Sequence, residues 1–230
     1  MAIGNSAKVY EEKRYLKAGE VEISERGFNL IIGGVLLWGF VLNYLMVALF
    51  GAQISRMMVT VNPLLFLVGY FVMVIAGSVL LSKDSPVLSF IGYNLIALPI
   101  GVVVCACVTG VPVSIVKSAV LVTAIVTLSF MIAATVFTGF CLSLGRVLFF
   151  SLLFTIVGGL ISTLLFRVRG FVLYEWLSAG IFSLYIGYDW ARANTCARTV
   201  NNAIDLAANL YLDIINVFLR ILEIMSRRKD

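Results

Sequence analysis

Between Phe28 and Phe166 the only charged side chains are Arg56, Lys83, Asp84, Lys117 and Arg146. The stretches between them are long and apolar, as a chain reads when lipid is its solvent. Seven such runs follow one another: Phe28–Phe50, Pro63–Leu81, Val87–Cys107, Ser114–Phe140, Val147–Phe166, Phe171–Asp189 and Ala203–Ile224. Each has about 19 to 27 residues, against the ~20 that cross ~30 Å of hydrocarbon. Backbone in lipid must satisfy its own hydrogen bonds, so runs of this length are helices. A barrel would instead show alternating segments of ~10 residues. The expected fold is all-α: a polytopic integral membrane protein built as a seven-transmembrane-helix bundle. The expected organisation is a polar cytoplasmic segment 1–27, a membrane domain 28–224 and a short basic tail 225–230.

Composition agrees. Only 13% of the 230 residues are charged, where a soluble domain carries about 25%. Mean hydropathy is +1.05. The polar amino terminus lacks the apolar core of a cleavable signal, so the first run reads as an anchor that stays in the protein. Histidine is absent, which excludes imidazole bases, Ser-His-Asp triads and most transition-metal sites. No enzyme chemistry and no cofactor are expected. The net charge of +5 sits at segment ends; no basic face with interleaved aromatics suggests nucleic acid. Cys105, Cys107, Cys141 and Cys196 read as small packing residues. Trp38, Tyr174, Trp176 and Trp190 lie near run ends and fit an interfacial belt.

Orientation follows from counting basic residues. With the amino terminus in the cytoplasm and seven spans, nine fall inside and seven outside. If the last segment dips in and returns, Arg227, Arg228 and Lys229 move inside and the count becomes twelve to four. The positive-inside rule therefore leaves 203–224 free to span or to re-enter, and its length favours spanning.

That last run carries the unusual chemistry. Asp205, Asn209, Asp213, Asn216, Arg220 and Glu223 are spaced by four, four, three, four and three. At 100° per residue they share an arc of roughly 80°. Asp213 is the central one. An aspartate at mid-membrane costs roughly 2.5–3.5 kcal/mol on insertion scales, so it must face a partner or water. The bland readings are an amphipathic helix lying on the membrane surface, or Asp213 hydrogen-bonded to Asn209 or Asn216. Arg220 and Glu223 would snorkel or pair with each other, and Asp205 would favour the helix start. Elsewhere, Asp84 lies in a short loop and Glu175 snorkels near the start of the sixth run. Asp189 closes that run, where the sequential sixth and seventh helices allow it to meet Asp213, or where it lies at the interface.

Two stretches, Phe182-Ser-Leu-Tyr-Ile-Gly-Tyr-Asp189 and Ala208-Asn-Leu-Tyr-Leu-Asp213-Ile-Ile-Asn216-Val-Phe-Leu, resemble the transmembrane Bax-inhibitor-motif family in its bacterial form. Ala133-Ala-Thr-Val-Phe-Thr-Gly139 resembles it less closely. The resemblance implies a seven-helix bundle that leaks calcium in a pH-dependent way. It makes Asp189 and Asp213 a proton-sensing, gating carboxyl pair that also meets calcium. Family members place a basic residue near the end of the second helix; the span 63–81 has none, and Lys83 is the nearest. Two carboxyls in a dry site cannot both ionise cheaply, so one proton bridges them. Losing it leaves two repelling charges that attract a hard cation through oxygen. Asp205, Asn209, Asn216 and Arg220 would support the pair.

The expected function is thus a pH-sensitive calcium leak channel whose partners are the bilayer, calcium and protons, with no protein partner indicated. A proton-coupled transporter using Asp213, or a non-conducting membrane regulator of stress or cell-death partners, is the alternative. Short loops point to a bacterial plasma membrane, with the endoplasmic reticulum or another intracellular membrane as the alternative.

Overall fold

A computed structural model describes residues 16, 20–161 and 172–227. Among these residues the chain is all-helical, with eight helices and no strand. They are α1 Glu25–Thr60, α2 Pro63–Leu81, α3 Pro86–Val108, α4 Val113–Val136, α5 Thr138–Ser143, α6 Gly145–Ile161, α7 Val172–Ala193 and α8 Val200–Arg227. Four of them, α1 to α4, are long and apolar enough to cross a membrane, and α6 carries a shorter apolar stretch, Gly145–Gly159. Large apolar side chains such as Leu30, Leu64, Leu121, Ile132 and Phe154 face outward, a surface suited to hydrocarbon rather than water.

The helix starts are written locally. Ser24 accepts a hydrogen bond from the Gly27 amide at 3.1 Å and caps α1. Asn62 accepts from the Leu64 amide at 2.8 Å, and Pro63 follows as the first helical residue of α2. Pro86 opens α3 in the same way. Gly110, at φ 89°, makes the turn from α3 into α4, a conformation that β-carbon-bearing residues avoid.

Three expectations about boundaries change. The run Ser114–Phe140 is not one helix. It breaks at Phe137, whose φ of −112° and ψ of 42° leave the helical region. The weak helix formers of Thr135-Val-Phe-Thr-Gly139 lie there, and Thr138 Oγ1 turns back to the Ala134 carbonyl at 2.8 Å. The first helix continues to Thr60, so its 36 residues extend about 54 Å, well past the hydrocarbon thickness. Helix α7 runs on to Ala193, four residues beyond Asp189. The expected run ends at 162–166, most of the amino-terminal segment and the tail residues 228–230 lie outside the described residues.

The chain divides into two compact units. The first contains the described residues up to Thr109 together with Thr195–Asn209. Here α3 packs against both α1 and α2. At the α2–α3 crossing a β-carbon on Gly77 would lie 2.7 Å from the Gly92 carbonyl oxygen, and one on Gly92 would lie 2.6 Å from that of Gly77. The two glycines therefore set how closely the backbones approach. Tyr93, fully buried, donates to the Val35 carbonyl at 3.0 Å, and Ser89 donates to the Asn201 side chain.

The second unit contains Gly110–Asn194 and the part of α8 from Leu210 onward. Helix α7 packs on α4, α5 and α6. A β-carbon on Gly187 would touch Phe130 and Cys141. Trp190 Nε1 donates to Thr135 Oγ1 at 3.0 Å, a specific bond where an interfacial belt was expected. Helix α8 has no exposed residue from Val200 to Arg227. That burial overturns the surface-lying amphipathic reading of this segment.

Candidate functional site

The candidate site lies within the second unit, on the facing sides of α7 and α8. Asp189 ends the apolar stretch of α7, and Asp213 sits mid-way along α8. Their residues are 5% and 7% exposed, so both carboxyls are enclosed by the protein. The two carboxyl groups lie close enough to interact electrostatically across the helix pair. Carboxylates only accept, so a hydrogen bond between the two would require a proton on one of them. Asp213 Oδ2 is buried and has no hydrogen-bond partner among the described residues.

Residues of α7 complete the surroundings. Arg192 Nη1 donates to Asp189 Oδ1 at 2.9 Å, forming a salt bridge three residues along the same helix. Arg192 also acts electrostatically on Asp213. Tyr185, four residues before Asp189, is within electrostatic range of both aspartates. Its ring meets Tyr188 edge-on, with centroids 6.4 Å apart. The Arg192 guanidinium lies 5.8 Å from the Tyr188 ring centre. Tyr188 in turn packs on Gly145, where a β-carbon would come within 2.8 Å of the ring. Asp189 thus has its guanidinium in place.

A second polar contact joins the same helices. Arg220 Nη1 donates to Glu175 Oε2 at 2.9 Å, and Glu175 is only 4% exposed. The Arg220 guanidinium lies 5.4 Å from the Tyr174 ring centre. This corrects two expectations. Glu175 does not snorkel, because its carboxylate finds a cation inside the protein. Arg220 does not pair with Glu223, which instead binds Arg227 at 2.7 Å one turn on.

The polar stripe of α8 is divided. Asp213, Asn216 and Arg220 belong to the second unit, and Asp205 and Asn209 to the first. Asn216 donates to its own helix, to the Leu212 carbonyl at 2.8 Å, rather than serving Asp213. Asp205 is the sixth residue of α8, beyond the first turn where it would favour the helix start. Among the described residues no group of three or more His, Cys, Asp or Glu comes together to hold a metal ion. Two carboxylates offer fewer oxygens than the six to eight that calcium takes.

Arg192, Tyr185 and Tyr188 were not singled out from sequence, where Lys83 was the nearest basic candidate. Helical spacing carried the signal for two of them: Tyr185 and Arg192 stand four before and three after Asp189, on its own face. The family model described as inhibitor of apoptosis-promoting Bax1 matches residues 25–230. The chain belongs to this family. Two proteins from separate strains of Helicobacter pylori, each named as an uncharacterized protein, are 38% identical over 88 residues. Those matches take in 38% of this chain and 37% of each relative's length. As a Bax inhibitor family membrane protein the chain meets lipid with the outward apolar faces of its helices, and keeps its aspartate pair and its Glu175–Arg220 pair inside.

Proposed function

We propose that this Bax inhibitor family protein is a pH-sensitive calcium leak channel gated by Asp189 and Asp213. The observation that carries the reading is the pair of buried carboxyl groups, one on each of two helices, that act on each other electrostatically. With one proton, the cluster Arg192–Asp189–Asp213 is neutral, and α7 and α8 are held together. Raising pH removes that proton. The cluster then carries a net negative charge, two carboxylates repel at short range, and no second cation is bonded to Asp213. The helices part at this level, and the same charges attract a hard cation through oxygen. With only two carboxylates the ion stays largely hydrated and passes on, which suits conduction rather than storage. At low pH a second proton leaves Arg192 as net positive charge, which repels cations.

The same reading takes α6, α7 and α8 as spans in addition to the four most apolar helices. At 1.5 Å per residue α7 and α8 are about 33 and 42 Å long, enough to cross. Glu175, Asp189 and Asp213 are buried, as intramembrane charges must be. The bacterial relatives favour a bacterial plasma membrane.

The test is calcium flux into dye-loaded proteoliposomes across a pH series, comparing the wild type with Asp213→Asn. The wild-type leak should rise with pH. An asparagine amide donates to Asp189 without a titrating proton, so the variant should stay closed and lose its pH response. Unaltered flux and unaltered pH response in that variant would remove Asp213 from the gate. Saturable uptake that depends on a particular solute would instead favour the proton-coupled transporter.

A further inference from the structure

Helices α7 and α8 are tied together at two levels by contacts of different chemistry. At one level the buried Asp189 and Asp213 carboxyls meet, and on the gating reading above they share a proton, so the tie exists only while that proton is bound. At the other level Glu175 meets Arg220 at 2.9 Å. A guanidinium does not deprotonate in proteins, so this tie needs no exchangeable proton on its cation. At 1.5 Å per residue the two levels stand about 21 Å apart along α7, between Glu175 and Asp189, and about 10 Å apart along α8, between Asp213 and Arg220.

The Glu175 level is also braced from outside the pair. Tyr174, beneath the Arg220 guanidinium, donates its hydroxyl to the Thr155 carbonyl of α6 at 2.9 Å. Gly159 of α6 leaves room for that hydroxyl: a β-carbon there would lie 2.6 Å from it. Three helices therefore meet around one cation. At the Asp level the facing groups are Arg192, Tyr185 and Tyr188 from α7, with Asn216 one turn along α8 and exposed Arg146 beside Gly145 on α6. Lys117 is the charged residue of α4, in its first turns. Asp213 Oδ2 has no donor among the described residues, so nothing there replaces the bond when the proton leaves.

We propose that the Glu175–Arg220 ion pair is a fixed pivot for α7 and α8, so that loss of the shared proton parts the helices at the Asp189–Asp213 level alone. This rests on the gating reading above and adds to it a direction of motion. The pivot confines opening to one end and holds the other shut.

The protein carries its own reporters. It has three tryptophans; Trp190 adjoins Asp189, Trp176 adjoins Glu175, and Trp38 is on α1. Two single-tryptophan versions of the full chain, with the other two positions changed to Phe, are reconstituted in lipid and titrated by fluorescence. The emission of Trp190 should shift with pH and that of Trp176 should not. Introducing Glu175→Gln into the Trp176 version should make its emission shift with pH too. The paired change Glu175→Leu with Arg220→Met removes both charges without stranding either, and should give the same gain in a protein that folds. Parallel shifts of both reporters in the otherwise unchanged chain would overturn the pivot while leaving the gate intact. A silent Trp176 in either folded variant would also overturn it. If neither tryptophan responds to pH, the gating reading falls and takes the pivot with it.

Discussion

Replacing Arg192 by Gln removes the guanidinium from an aspartate that has little access to solvent. The Arg192 and Asp189 side chains are 17% and 7% exposed, and their polar atoms are 2.9 Å apart. At an effective dielectric constant of about 20 the direct attraction at that separation is roughly 6 kcal/mol. Much of it is offset by the desolvation of both groups. Removing one partner from a buried pair costs roughly 3–5 kcal/mol. Arg192 keeps some contact with solvent, so the loss should be about 2–4 kcal/mol. For a chain of this size that lowers Tm by roughly 4–16 °C. The sign with pH follows from what Asp189 can do without its cation. It regains neutrality by binding a proton, so the loss should be full at alkaline pH and shrink as pH falls. Thermal unfolding of the detergent-solubilised variant, followed by tryptophan emission at several pH values, measures both quantities. Arg192→Lys keeps the charge but loses the fixed fork geometry, and should lose less. A variant within 1 °C of wild type at every pH, or one equally destabilised at every pH, would refute the reasoning.

Gly92→Ala should cost about 1–3 kcal/mol, because its β-carbon would meet the Gly77 carbonyl oxygen and must push two helix backbones apart; chemical unfolding in mixed micelles reads it. Tyr93→Phe should cost roughly 1 kcal/mol by leaving the Val35 carbonyl without its buried donor, with little change in the flux assay. Gly145→Ala strikes the Tyr188 ring rather than backbone. It should therefore alter the pH dependence of calcium flux more than it alters Tm; unchanged flux would separate Tyr188 from the gate.

The helices were largely legible because their signal is local. Uncharged length marks α1 to α4, and Asn62-Pro63 marks where α2 begins. The aspartates were legible too: a charge inside an apolar run has few places to go, and helical spacing aligned Asp213 with its stripe. What stayed hidden depends on which long side chain reaches which partner. Arg220 has Glu223 three residues away and Glu175 forty-five residues away, and it bonds the distant one. Sequence spacing favours the near partner; the fold supplies a carboxylate already stripped of water, which gains more from the cation. Arg192 lies beyond the point where apolarity ends at Asp189, yet the helix continues past it. The break at Phe137 was hidden for the opposite reason. The residues there stay apolar, and hydropathy does not register a change in backbone angle.

Helix α8 is enclosed along its whole described length although it is the least apolar of the long helices. Five charged residues, Asp205, Asp213, Arg220, Glu223 and Arg227, make it a poor candidate to partition alone from a translocation pore into lipid. It comes after α1 to α7 in the chain, so during synthesis its receptors already exist. Glu175 waits for Arg220, and Asp189 waits for Asp213. A ribosome-stalled chain lacking α8 would hold Glu175 and Asp189 without their partners on α8. The burial of α8 thus leaves the pairing of Glu175 and Asp189 to the last described helix to be made.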